Sequence, residues 1–398
     1  MGHVRTERTA RTPGTTASAR RARIDLIVTD EPAHGLNRYA GVLAGALRAA
    51  GHDAREVPVP AGRPLAAARA ALRARRADVV HLQLTDRYLG PAWGQLAVAA
   101  ALRAALAGRP LFVTAHDFHT GRGELLQRRA RNARGAARRL LTRLGVVSPG
   151  FDATARLLLG SAAGVLTCSA TEAENLAWTR PRRSAVVPHY VEELPGEPLP
   201  VEQVDEHLVV VAGFVHRRKA QHVAVAALAH LPGHRLVLAG SATERNAGYL
   251  REVLELAREL GVAERVEVTG YLPDAELLAL LRRARVAVAP YERIAASGSL
   301  ATLVAAGVPV VVRATPTVAE LAAACPTAVE LFEGEDPAEV AAAVLRCAAR
   351  PLREQRAELR ARAAALSPAR TARAHLDVYA TATSAAATGG AREEDPGA

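Results

Sequence analysis

A chain of 398 residues with 49% apolar content is too long for one ordinary domain and apolar enough to bury two cores. Its net charge of +11 sits in residues 1–23 (+5) and 122–143 (+7), leaving the rest near −1, and only 4% of residues are aromatic; a general nucleic-acid-binding surface is therefore excluded. Three cysteines without paired spacing, Cys168, Cys325 and Cys347, exclude a disulfide framework and a zinc site, and fit a reducing cytoplasm.

Residues 1–20, rich in Thr, Ala, Arg and Gly, read as a disordered tail without the apolar run of a signal peptide. Order begins with a β-rich run at 24–28. A turn over 30–35 follows, and then Leu36, Tyr39, Leu43, Leu47 and Ala50 recur at helical spacing until Gly51 ends the helix. The pattern repeats with a strand at 78–82, a helix at 92–107 and strands at 110–114, 165–169 and 184–188. The longest apolar stretch, 96–107, is cut by Arg103 and is too short to span a bilayer.

Between these strands lies a basic segment, 124–144. On a helical wheel Leu126, Ala130, Ala133, Ala137, Leu140, Leu141 and Leu144 share one face, and Arg128, Arg129, Arg131, Arg138, Arg139 and Arg143 fill the other. This is the profile of a helix lying on an anionic membrane surface. A surface helix packed on its own domain has the same profile.

Residues 192–206, rich in Pro, Gly and Glu, form a linker. Beyond it strands are expected at 208–212, 235–239, 265–269, 286–289 and 308–312, with helices near 219–230, 247–260, 274–284, 299–306, 317–324 and 336–349. Helices at 352–365 and 369–383 follow. The expected organisation is a first domain over 21–191, a second over 207–365, a helix over 366–383 crossing back to the first domain, and a polar tail over 384–398. Strands alternating with helices imply parallel βαβ units. The fold class is therefore α/β, two facing Rossmann-like doubly wound parallel-sheet domains. Such sheets bind ligands at the carboxyl ends of their strands, and two facing ones enclose a cleft.

Four segments carry chemistry. In 290–311 a strand leads through a small-residue loop into a helix at Ser297-Gly298-Ser299. A helix N-terminus offers unpaired N–H groups and partial positive charge, and small residues let a diphosphate approach. An ordinary serine N-cap would explain the same residues. In 211–219 a strand runs into Gly213 and the cationic run Arg217-Arg218-Lys219, which suits phosphate or a solvated charge cluster. His116 ends the strand 110–114 and is placed to bond a hydroxyl or act near a reacting centre, although a lone histidine is more often structural. The turn ending in His34-Gly35 opens the first helix.

Taken in order, these segments resemble the retaining glycosyltransferases of family 4, which have the GT-B fold. The resemblance covers roughly 22–365. It rests on His34-Gly35 before the first helix, His116-Asp117 at a strand end, Cys168-Ser169, the Val187-Pro188-His189 segment, Gly213 with Lys219 six residues on, and the Ala305-Ala306-Gly307-Val308-Pro309-Val310 turn. The resemblance implies a nucleotide-diphosphate sugar as donor, a hydroxyl acceptor and transfer with retention. It puts the donor at Gly213, Arg218, Lys219, Ser297, Gly298 and Ser299, the cleft loop at Gly35 and Glu292, and His116 at the reacting centre. The family's two glutamates are replaced: counting back from Gly307, those positions hold Ile294 and Thr302. Phe214 stands where an Arg often follows the glycine. The chain contains no Asp-x-Asp triplet, so neither a metal nor another cofactor is expected, and diphosphate charge falls to backbone dipoles, Arg218 and Lys219. The missing glutamates leave a second reading, a catalytically silent relative that binds a nucleotide sugar or a partner enzyme.

Overall fold

The computed structural model describes residues 21–30, 35–60, 62–85, 92–116, 118, 140, 144, 149–292, 294 and 297–388. The tail over 1–20, His34, Asp117 and nearly all of the basic segment 124–144 lie outside these residues.

The first sheet has six parallel strands: β1 (Arg23–Thr29), β2 (Asp53–Val59), β3 (Val79–Leu84), β4 (Leu111–Ala115), β5 (Gly164–Thr167) and β6 (Ser184–Val186), in the order β2-β1-β3-β4-β5-β6. Helices α1 (Gly35–Ala49), α2 (Pro64–Ala74), α3 (Ala92–Ala105), α4 (Pro149–Leu159) and α5 (Ala170–Leu176) connect them. β1 is buried on both faces, so its apolar residues serve two cores. Ile24, Leu26 and Val28 pack against Tyr39 and Leu43 of α1, while Ile27 faces the opposite side with Leu102 and Leu158.

The second sheet repeats the plan with β7 (Asp205–Ala212), β8 (Arg235–Ala239), β9 (Val266–Val268), β10 (Ala284–Ala289), β11 (Val310–Arg313) and β12 (Val329–Phe332), in the order β12-β11-β10-β7-β8-β9. Its helices are α6 (Gln221–Leu228), α7 (Ala247–Glu259), α8 (Asp274–Arg283), α9 (Gly298–Ala306), α10 (Pro316–Ala324), α11 (Pro337–Ala348) and α12 (Leu352–Ala365). Leu208, Val210 and Ala212 bury on one face, and Val209 and Val211 on the other. The chain order reverses between β7 and β10. That switch point opens a crevice at the strands' carboxyl ends, because the connections leave in opposite directions.

Several elements differ from the sequence reading. β2, α2, α4, α5 and β12 carry no expectation, and β6 and β9 are shorter than expected. β2 and β12 are edge strands; β2 shows the mixed face of Asp53, Arg55 and Glu56 rather than a buried apolar run. Arg55 is nonetheless anchored, donating to both carboxylate oxygens of the fully buried Asp25 at 2.7 and 2.8 Å. Residues 384–388, expected in the polar tail, are helical, because α13 (Pro368–Thr388) continues through 388. α13 lies on the first sheet, where Ala372 and Tyr379 join the cluster of Ile24, Phe112 and Leu166.

The two halves also touch at Arg38 of α1. Its guanidinium lies 2.7 Å from Glu192, in the segment joining the sheets, and 3.9 Å from Asp274 at the start of α8.

Candidate functional site

The second sheet's switch point gathers residues from three segments. β7 ends in Gly213, whose φ of +111° suits only glycine. A Cβ there would lie 2.6 Å from Ser299 Oγ and 3.7 Å from Lys219 Nζ, so the bare backbone is what lets these side chains close over the strand end. Gly240, at the end of β8, is packed still harder: its Cβ would meet the Gly213 carbonyl oxygen at 2.2 Å. No motif singles Gly240 out, since its demand comes from a neighbouring strand.

After Gly213 the chain makes a short 3-10 turn, Arg217–Lys219, and Ala220 follows with φ +51°. That left-handed alanine is strained, and it sits directly beside Lys219. Lys219 Nζ donates to Ser299 Oγ at 3.2 Å and stands 3.6 Å above the Tyr291 ring. Tyr291 is buried and donates to the Ala212 carbonyl at 3.0 Å. Burial raises its phenol pKa, so it stays neutral and presents an electron-rich face to the ammonium.

The three cations of this run have separate fates. Arg217 pairs with Glu252 at 2.5 Å and lies over the Tyr249 ring. Arg218 is exposed and has no ion-pair partner among the described residues. Its carbonyl accepts from the Glu292 N–H at 3.1 Å, which draws the exposed Glu292 alongside the same turn.

α9 opens beside them. Ser297 is its N-cap, accepting from the Leu300 N–H at 3.2 Å, so the capping role is real; Ser299 instead turns to Lys219. Open space surrounds the position a Cβ would take on Gly298. Gly213, Lys219, Ser297, Gly298 and Ser299 thus come together, with Arg218 and Glu292 at the rim. Together they offer an ammonium, a hydroxyl and a helix N-terminus, a set suited to an anion. Ile294 is buried against Tyr291 and Leu300 in the core, and the Thr302 hydroxyl donates to the Gly298 carbonyl at 2.9 Å.

The first domain's candidates occupy another place. Gly35 opens α1, is exposed and has open space around it. His116 directly follows β4 and is only 7% exposed. Its Nε2 lies 2.9 Å from Gln83 Oε1, its Nδ1 3.9 Å from Cys168 Sγ, and Tyr39 meets the ring edge-on at 4.8 Å between centroids. Gln83 and Tyr39 were invisible as site residues in the sequence, because nothing local distinguishes them from core positions. Among the described residues no cluster of His, Cys, Asp or Glu is arranged to hold a metal. A cavity of about 410 Å³ lies elsewhere, at the amino ends of β5 and β6 beside Arg183 and Val378.

Residues 205–350 match the family model described as glycosyl transferases group 1, and that stretch holds the whole Gly213–Lys219–Ser299 cluster. The second half is therefore similar to a group 1 glycosyltransferase domain. No curated protein matches the chain. Among solved structures, sucrose-phosphate synthase from Thermosynechococcus elongatus is 19% identical, covering 92% of this chain and 100% of its own at a TM-score of 0.68. HepE of Anabaena, in complex with UDP and glucose, is 15% identical over 89% of this chain and 98% of its own, at 0.63. AviGT4, a glycosyltransferase involved in avilamycin A biosynthesis, is 20% identical over 90% and 97%, at 0.57. Such identities speak for the fold alone: the glycosyltransferase has the two-domain GT-B architecture.

Proposed function

We propose that this glycosyltransferase uses a nucleotide-diphosphate sugar and transfers the sugar to a hydroxyl acceptor with retention, as family 4 enzymes do. The observation that carries this reading is the contact of Lys219 with Ser299 at the mouth of the second sheet. It joins a cation to a helix N-terminus where β7 and β10 diverge, the place an open sheet offers a diphosphate. Charge neutralisation by α9, Arg218 and Lys219 makes transfer independent of metal or other cofactors, so activity persists in chelator.

UDP-glucose is the first donor to try, since HepE of Anabaena was solved with it. Thermal-shift titration with UDP-, GDP- and ADP-sugars identifies the base, because a ligand that binds only the folded state raises its melting temperature. Incubation with acceptors, and NMR of the product's anomeric proton, then tests transfer and retention. If no nucleotide sugar raises the melting temperature, the reading fails.

Ile294 and Thr302 favour a second reading, binding without transfer. Neither supplies a carboxylate, and Glu292 is the acidic side chain nearest in sequence. Donor binding with neither transfer nor hydrolysis would establish it.

The proposed setting is the cytoplasm, which suits three free, buried cysteines. Among the described residues no helix is long and apolar enough to cross a membrane. Through the basic face of 124–144 the enzyme is proposed to dock on an anionic membrane and meet a membrane-proximal acceptor there.

A further inference from the structure

We propose that Arg313 is a positioning residue for the donor site, acting through Pro290 and Tyr291 to set where the Lys219 ammonium stands. The inference rests on the proposed role of Lys219 in binding a donor diphosphate.

Composition first marks Lys219. Of the 51 lysine and arginine residues in the sequence, it alone is a lysine. A guanidinium is a planar fork that holds its own direction, whereas an ammonium is a compact charge on a flexible stem. A lysine therefore takes its direction from its surroundings. Here those include Ser299 Oγ at 3.2 Å and the Tyr291 ring at 3.6 Å.

Tyr291 lies just beyond β10, in a sheet where β7 and β11 flank that strand. Ladder bonding to β11 stops there. Ala289 pairs with Val312, but the N–H of Ala314 turns away and donates to the Phe332 carbonyl of β12. Three contacts hold the segment 290–292 in its place. The Tyr291 hydroxyl donates to the Ala212 carbonyl at 3.0 Å, and the Glu292 N–H donates to the Arg218 carbonyl at 3.1 Å. Both pull toward the β7 side. The third comes from the β11 side, where Arg313 Nε donates to the Pro290 carbonyl at 3.3 Å.

The rest of the guanidinium is anchored farther out. Nη1 donates to the Gly334 carbonyl at 2.6 Å, Nη2 lies 3.3 Å from the Glu335 carboxylate, and the group stands 5.6 Å from the Phe332 ring centroid. The side chain is only 14% exposed. With two nitrogens fixed on the loop after β12, the rigid fork aims its third at Pro290, a geometry that a single ammonium cannot reproduce. Arg313 thus fixes one side of the segment whose ring lies beneath Lys219.

Because the chain has one lysine, full-length protein labelled with [ε-¹³C]lysine gives one signal, which reports Lys219 without any donor present. Protons near the face of the Tyr291 ring are shielded, so the wild-type signal is expected upfield of free lysine, and Tyr291→Leu should return it toward the free position. Arg313→Leu, which keeps apolar cover over Phe332, should move it part of the way. Arg313→Lys, which keeps the charge but loses the fork, should move it less. Arg313→Leu should also weaken binding of whichever UDP-, GDP- or ADP-sugar gives the largest thermal shift by roughly fivefold, the size of one net hydrogen bond. In the Tyr291→Leu background it should cost nothing further, which a general stabilising role would not produce. An unchanged lysine signal in both Arg313 variants, or an equal loss of affinity with and without Tyr291, overturns the proposal. Should Arg313→Leu fail to fold, the signal of Arg313→Lys decides. If the wild type binds no nucleotide sugar, the functional reading falls instead, while the lysine signals still test the link from Arg313 to Lys219.

Discussion

Lys219 Nζ lies 3.2 Å from Ser299 Oγ, although 80 residues separate the two along the chain. The contact brings the end of β7 and the start of α9 to one point, with Tyr291 as the floor. If a donor diphosphate binds there, Lys219→Ala removes a charged hydrogen bond and weakens binding by roughly 1.5–3 kcal/mol. Titration calorimetry with the preferred nucleotide sugar measures it; unchanged affinity would move the diphosphate elsewhere.

The two glycines beneath that contact should resist substitution unequally. Gly213→Ala forces a side chain into a φ of +111° and against the Ser299 hydroxyl, which can swing aside. A cost of about 1–3 kcal/mol is expected, with weaker donor binding. Gly240→Ala meets the rigid Gly213 carbonyl and should be the more destabilising. Denaturant unfolding ranks them, and equal stability of Gly240→Ala and wild type would contradict the packing described.

His116→Ala should reduce turnover roughly tenfold or more, as loss of a positioned polar group does. The fold should survive by circular dichroism. A variant with normal turnover would make His116 purely structural.

Stability should fall as the solution is acidified from about pH 6.5 to pH 4. Burial drives the His375 pKa down to about 4, and it drives His81 well below its usual value. The unfolded chain takes up these protons near pH 6.5 while the folded chain resists until about 4, so the unfolded state binds more protons throughout that window. Stability is therefore greatest above pH 6.5. His375 alone contributes a loss of about 2–4 kcal/mol across the window, at 1.36 kcal/mol per pKa unit. Urea unfolding across this range should show a shallower slope for His375→Leu, and equal slopes would exclude the linkage.

Vesicle sedimentation tests the basic segment. Binding to anionic but not neutral vesicles is expected, weakening as salt rises, with each arginine near the surface worth about 1 kcal/mol. Converting Arg128, Arg131, Arg138 and Arg139 to Gln should abolish it. Wild-type protein that stays in the supernatant would exclude membrane docking through 124–144.

Much of the architecture was written locally. A central parallel strand is buried on both faces, so runs such as Leu208–Ala212 must be apolar throughout and announce themselves. The alternation of those runs with amphipathic helices implied two doubly wound sheets, and turn glycines followed by cations marked the candidate donor segments. Two of the four edge strands escaped for the converse reason. β2 and β12 expose one side, so Arg55 and Glu330 break the run that would have signalled them.

Tertiary structure alone decided which of the marked residues meet. Ser297 satisfies its own helix while Ser299 reaches Lys219; Arg217 is taken by Glu252 while Arg218 stays exposed. Tyr291, Gly240 and Gln83 gain their importance from neighbours on other strands, and no local pattern encodes such contacts. Sequence spacing reports the period of a chain's own helix or strand. Which side chain faces which across a sheet depends on strand order and register, and those are fixed only when the cores close.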